Sequence, residues 1–196
     1  TDDALIAGLT RDLDGTFEAL VLAHQDRLYS IALRVLGDPA DAEEAAQDAF
    51  VRAYRALVGY DAARIRDLRL RPWLATIVRN LCRTRRTRAT PARPAMSLDA
   101  PFPADREPRT ASDAGPAAIA ERRTAHRDWA ALLLSLPPTQ RDAVVLRHVD
   151  GLSYPELAIA LGRPEGTVKA RVHRGIEALR AAYDATNRLH DEEISA

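Results

Sequence analysis

Residues 151–175 read Gly-Leu-Ser-Tyr-Pro-Glu-Leu-Ala-Ile-Ala-Leu-Gly-Arg-Pro-Glu-Gly-Thr-Val-Lys-Ala-Arg-Val-His-Arg-Gly, and this run decides the fold. Ser153 and Glu156 have capping-box spacing, in which a helix-starting Ser and a Glu three residues on satisfy backbone N–H groups that lack intrahelical partners. Leu157, Ala158 and Leu161 give that short helix an apolar face, and Gly162 supplies a turn. Pro164 stands where a second helix opens, and Val168, Val172, Ile176 and Leu179 recur along it at steps of four and three. Two short helices joined by a Gly-containing turn predict a helix-turn-helix. In that motif the second helix enters the DNA major groove and its first residues meet base edges. The outward positions here are Glu165, Thr167, Lys169, Ala170, Arg171, His173 and Arg174. Lys and Arg neutralise phosphates or read guanine, and Thr and Glu read other edges. The helix N-terminus adds partial positive charge toward phosphate. The competing reading is an ordinary helical hairpin with a solvated basic face.

Working upstream, 139–149 predicts a helix with Ala143, Val144, Leu146 and His148 around it, broken by Asp150-Gly151. Residues 119–134 predict another, ending before Leu136-Pro137-Pro138. Pro91, Pro94, Pro101, Pro103, Pro108 and Pro116 leave no room for a helix in 90–116, which reads as a flexible Pro-rich linker and domain boundary. Further upstream, 16–36 carries Phe17, Leu20, Val21, His24, Leu28, Ile31, Ala32 and Val35 on one face. Gly37 stops that helix and Asp38-Pro39 opens the next. The inner stripe of this next helix is Ala42, Ala45, Ala46, Ala49, Phe50, Ala53 and Leu57, small enough for close packing. Residues 59–71 read as a loop with a short helix, and Pro72 opens a helix containing Trp73, Leu74, Ile77, Val78 and Leu81. The expected organisation is all-α: a helical domain over 1–89, the linker 90–116, a helix-turn-helix domain over 117–184 and an acidic tail 185–196.

Charge separates two surfaces. Net charge is zero, but residues 1–50 hold 11 acids against Arg11, Arg27 and Arg34, whereas 64–88 hold nine arginines against Asp67 alone. An acidic block followed by a basic block suits different partners. Apolar residues make up 46% and aromatics only 5%, with helix formers dominant, which agrees with helices rather than strands. Cys82 is the lone cysteine, so neither a disulfide framework nor a cysteine-rich zinc site is expected. His148 and His173 lack metal-ligand partners at useful spacing. No Gly-rich phosphate loop or nucleophile motif occurs. The expectation is therefore a non-enzyme without catalytic residues, metal or cofactor. Without a basic leader or long uncharged apolar run, no membrane insertion and a cytoplasmic location are expected.

The run 151–175, with Leu136-Pro-Pro-Thr-Gln-Arg-Asp-Ala-Val-Val-Leu-Arg before it, resembles the promoter-binding domain of extracytoplasmic-function sigma factors of the sigma-70 family. Asp41-Ala-Glu-Glu-Ala-Ala-Gln-Asp-Ala-Phe-Val-Arg-Ala-Tyr-Arg-Ala-Leu resembles that family's polymerase-binding helix. Pro72-Trp-Leu-Ala-Thr-Ile-Val-Arg-Asn-Leu-Cys-Arg resembles its promoter-melting helix. The resemblance implies an alternative sigma factor whose partners are core RNA polymerase, promoter DNA and an anti-sigma factor. It places Glu44, Gln47 and Asp48 against the β′ clamp helices, with the β flap as a further polymerase contact. It gives Arg79, Asn80, Arg83 and Arg86 the unpaired strand of the −10 element, and Thr167, Lys169, Arg171, His173 and Arg174 the −35 duplex.

A basic groove for a melted strand agrees with the arginine block. Trp73 in an apolar stripe reads as core rather than as a base-stacking platform, and His24 as a core or boundary residue. Two positions depart from the family pattern: Pro155 stands where a charged residue is frequent, and Ala170 replaces a frequent serine. The 59–71 loop is also rich in arginine. The alternative is a conventional dimeric helix-turn-helix regulator with a sensor domain. The basic end of the first domain argues against it.

Overall fold

The computed structural model describes residues 1–88 and 129–194, and every regular element among them is helical. The N-terminal unit comprises α1 (Asp2–Arg11), α2 (Leu13–Leu36), α3 (Pro39–Val58), α4 (Ala62–Arg66) and α5 (Leu70–Arg88). The C-terminal unit comprises α6 (129–135), α7 (Pro138–Val144) with a π-helical turn Val145–Val149, α8 (Tyr154–Leu161) and α9 (Glu165–Ile194). The expected linker 90–116 lies outside the described residues, as does the beginning of the helix expected over 119–134.

Local chemistry sets these boundaries. The Asp12 carboxylate accepts from Gly15 N–H at 3.0 Å and starts α2 at Leu13, three residues before the expected start. The Asp12 N–H in turn bonds Gly8 O at 2.8 Å, closing α1, for which the apolar pattern gave no expectation. Asp38 caps α3 as expected, accepting from Asp41 N–H at 2.9 Å with Pro39 in the first turn. Asp61 caps the short helix in the 59–71 stretch, accepting from Arg64 N–H at 2.8 Å. Helix α5 opens at Leu70, before Pro72, which is tolerated inside the first turn.

The alanine stripe of α3 is buried: Ala42, Ala45, Ala49 and Ala53 have no exposed surface. Against it pack Leu28, Ile31 and Val35 of α2 and Leu74 and Val78 of α5, all likewise buried. Cutting one such leucine back to alanine costs about 2–5 kcal/mol, because the lost burial adds to the cavity left behind. His24 is buried as expected, and Trp73 is half-buried beside Tyr60, ring centroids 6.3 Å apart, which agrees with a core role.

The C-terminal unit closes around Val144, Leu146, Leu152, Leu157 and Val168. After Val144 the chain slips from the α register: Asp150 N–H bonds Val145 O at 3.0 Å, five residues back, so the expected single helix over 139–149 ends in a π turn. Gly162 takes the left-handed conformation, φ 59°, that lets α8 stop and α9 start within three residues. At Gly175, α9 crosses α7 so closely that a β-carbon would lie 2.5 Å from Val144 Cγ2. Helix α9 then continues to Ile194, through the segment expected as an acidic tail.

Candidate nucleic-acid and partner interfaces

The helix-turn-helix presents its basic residues to solvent. Glu156 reaches back to its cap, accepting from Ser153 N–H at 2.8 Å and from the Ser153 hydroxyl at 2.6 Å. These bonds, the Ser153 hydroxyl first, hold the Glu156 carboxyl below its usual range against the opposing effect of partial burial. With α8 fixed at that end and Gly162 at the other, Val168 and Val172 anchor α9 in the core. Its opposite face leaves Thr167, Lys169, His173 and Arg174 exposed and Arg171 half-exposed. Lys169 Nζ pairs with Glu165 at 2.8 Å, and His173 Nδ1 lies 3.3 Å from Glu177. The Glu165 hydrogen bond keeps the Lys169 ammonium more firmly protonated than usual. Both pairs are solvent-exposed and weak, so phosphate can displace the carboxylates. Tyr154, Lys169, Ala170, His173 and Arg174 line an open depression of about 530 Å³. Tyr154 was not among the candidates. Its ring lies 5.0 Å from the Arg147 guanidinium and 5.4 Å from the Lys169 ammonium, so it orients the basic rim.

The acidic face of α3 leaves Glu44, Gln47 and Asp48 exposed. One arginine organises it: Arg85 donates to Glu44 at 2.8 Å and to Asp48 at 2.7 Å. A residue of the arginine block thus crosses to the acid block, a pairing that spacing 37 and 41 residues apart in sequence does not announce.

The α5 arginines are placed differently. Arg83 is exposed, but Arg79 and Arg86 converge on Asp142 of the C-terminal unit. Arg79 Nε donates to it at 3.0 Å and Arg86 donates twice, at 2.9 and 3.3 Å. Arg79 also donates to Asn80 at 3.3 Å. The Asp142 side chain is 2% exposed and the two arginines 13% and 19%. Removing Asp142 would leave two part-buried guanidiniums without their carboxylate, whereas removing either arginine leaves the other still paired with Asp142. A second junction lies nearby. Arg27 of α2 makes a bidentate pair with the Asp150 carboxylate, Nη2 to Oδ2 at 2.7 Å, and Arg71 donates to the Asp150 carbonyl. Arg141 donates back to Val35 O at 2.8 Å, and Leu134 covers Gly37.

Two titratable groups are sealed. His24 is held below its ordinary value of 6.5, chiefly by burial, with nearby Arg27 and Arg71 adding and Asp2 and Asp150 opposing. Burial pushes the Cys82 thiol up to about 12, which leaves it protonated and unreactive. Among the described residues no cluster of three or more His, Cys, Asp or Glu could hold a metal. No described helix is long and apolar enough to cross a membrane.

A helix-turn-helix with an exposed basic face, attached to a second helical unit with an arginine-rich helix, defines a DNA-binding protein of transcription. The family model described as Sigma-70 region 2 matches residues 20–91, and that described as Sigma-70, region 4 matches 126–179. Similar curated proteins include the ECF RNA polymerase sigma factor SigE of Mycolicibacterium smegmatis, 36% identical over 84% of this chain and 60% of its own length. The ECF RNA polymerase sigma factor SigW of Bacillus subtilis is 34% identical over 84% of this chain and 87% of its own. Among solved structures, CnrH in complex with the cytosolic domain of CnrY matches with a TM-score of 0.67 and 26% identity, over 94% of this chain and 97% of that one. The sigma factor RpoE of Bartonella quintana, solved with the anti-sigma factor NepR, shares the fold: TM-score 0.61, 22% identity, over 86% and 96% of the two chains. The chain belongs to the extracytoplasmic-function sigma factors of the sigma-70 family. It is thus an alternative sigma factor, a transcription initiation factor rather than a member of an enzyme family.

Proposed function

We propose that this sigma factor divides promoter recognition between its two units and docks on core RNA polymerase through α3. The observation that carries the proposal is the exposed row on α9, set on a helix that the core holds rigidly. Thr167, Lys169, Arg171, His173 and Arg174 bind the −35 element as duplex, with Lys169 and Arg171 supplying most of the charge neutralisation. Arg79, Asn80, Arg83 and Arg86 hold the unpaired −10 strand along α5. Glu44, Gln47 and Asp48, set in position by Arg85, meet the β′ clamp helices, and the β flap provides the second polymerase contact. The solved complex of CnrH with the cytosolic domain of CnrY supports an anti-sigma partner for this chain too. The protein acts in the cytoplasm, where polymerase is, and catalyses no reaction itself.

A dimeric regulator is not favoured, because models of both sigma units match in order along the chain. The test is transcription with purified core polymerase, the inhibitor-free chain and a genomic fragment library. Transcripts with discrete start sites preceded by shared −35 and −10 elements are expected. No association with core, or no start-specific RNA, overturns the proposal.

A further inference from the structure

The depression on α9 has a rim and a floor of different chemistry. The rim is charged and tethered. Lys169 Nζ is held by Glu165 at 2.8 Å and lies 5.4 Å from the Tyr154 ring, and His173 Nδ1 lies 3.3 Å from Glu177. Arg174 Nε donates to the Ala170 carbonyl at 3.2 Å, which folds this guanidinium back beside Ala170. The floor is the exposed Ala170, the shortest side chain of the lining, with the Tyr154 ring beside it. Ala170 offers a base edge only a methyl, since its carbonyl is already engaged. Gly166 lies one turn earlier on the same face. Its φ is not positive and an added β-carbon would meet nothing within 4 Å, so neither backbone conformation nor packing calls for a glycine there. Glycine weakens a helix but lets its backbone come close to a ligand.

We propose that Ala170, with the Tyr154 ring, seats a thymine methyl, so that this chain selects a thymine at the base pair facing Ala170. The seat rests on the −35 reading of α9. Of the groups that the four base pairs present in the major groove, one is apolar, the C5-methyl of thymine, and an alanine methyl is a fitting contact for it. A purine at this place turns its N7 acceptor toward a methyl that cannot donate, and a cytosine leaves the seat empty. Lys169 and Arg174 flank the seat and hold phosphates, which fixes the depth of insertion but carries no sequence information. Charge and selection are thus divided between neighbouring residues of one helix turn.

The test uses the full chain and short randomised DNA duplexes selected on it. In the tightest-binding duplex each thymine is replaced singly by deoxyuridine, which differs only in lacking the methyl. Deoxycytidine and 5-methyldeoxycytidine are then compared at the sensitive position, and the anisotropy of a fluorescein label reads the dissociation constant. At one thymine, deoxyuridine should weaken binding about fourfold, the contribution of one buried methyl. 5-Methyldeoxycytidine should recover a similar factor over deoxycytidine. Ala170→Gly and Ala170→Ser should bring both ratios close to one. Neither should change the salt slope, because a methyl contact displaces no counterion, whereas Lys169→Ala should lower the slope by about 0.9 and keep the ratios. Retained duplex binding with no methyl-sensitive thymine overturns the seat and spares the −35 reading. So does a methyl effect that survives both Ala170 variants, even if they weaken binding to thymine and uracil duplexes alike. Selection of no duplex at all overturns the −35 reading, and the seat with it.

Discussion

The basic face of α9 and the basic face of α5 are built from the same residue types but sit in opposite surroundings. On α9 the cations project into water and pair, where they pair, with exposed acids one turn away. On α5 Arg79 and Arg86 are nearly buried and pair with an aspartate 63 and 56 residues along the chain. The difference teaches that a run of arginines specifies charge, not availability. One surface is open to solvent as it stands, and on the other Arg79 and Arg86 are covered by the C-terminal unit.

The comparison breaks most severely if α9 loses its foundation. Leu157→Ala should lower stability by about 2–5 kcal/mol in denaturant titration and abolish duplex binding, since the buried leucine fixes α8 against α9. Gly175→Ala should cost about 1–3 kcal/mol, as its methyl would strike Val144, and should weaken duplex binding only as far as it unfolds the unit.

Finer variants separate the faces themselves. Lys169→Ala and Arg171→Ala should each reduce the salt slope of duplex binding by about 0.9 while core polymerase binding is retained. Equal loss of both activities would mean misfolding. Arg79→Ala should leave that slope unchanged. Arg85→Ala should weaken association with core polymerase, measured by fluorescence anisotropy, while altering stability by no more than about 1 kcal/mol, since its acid partners are exposed.

The smallest effect is a pH dependence. A histidine held below its ordinary value binds fewer protons folded than unfolded, so its contribution is complete above 6.5 and is lost as pH falls below it. Stability should therefore decline from pH 6.5 toward 5, and His24→Gln should flatten that decline. His148, also lowered by partial burial, acts with the same sign and leaves a residual slope.

Much of this architecture was legible in the chain because it is written in local chemistry. The Ser153–Glu156 spacing and Gly162 marked the helix-turn-helix, Asp38-Pro39 marked the start of α3, and the alanine stripe marked its inner face. Helix α1 was not, since Asp12 reads as one more acid until its side chain is seen capping α2. The π turn at Val145–Val149 changes hydrogen-bond register without disturbing apolar spacing. Of the α9 candidates Lys169, His173 and Arg174 line one depression, which Thr167 and Arg171 do not join, while Glu44, Gln47 and Asp48 lie together on the exposed side of α3. Arg85, Asp142 and Asp150 escaped because their roles depend on partners 37 to 123 residues away, and no period in a sequence encodes such pairings.

The most direct measurement is promoter footprinting with core polymerase, combined with permanganate probing of unpaired thymines, for Arg171→Ala and for Arg83→Ala/Arg86→Ala. The account predicts that the first variant loses upstream duplex protection while retaining thymine reactivity on a preopened template. It predicts that the second keeps upstream protection and loses thymine reactivity. Identical defects in both variants would contradict the division of labour between α9 and α5.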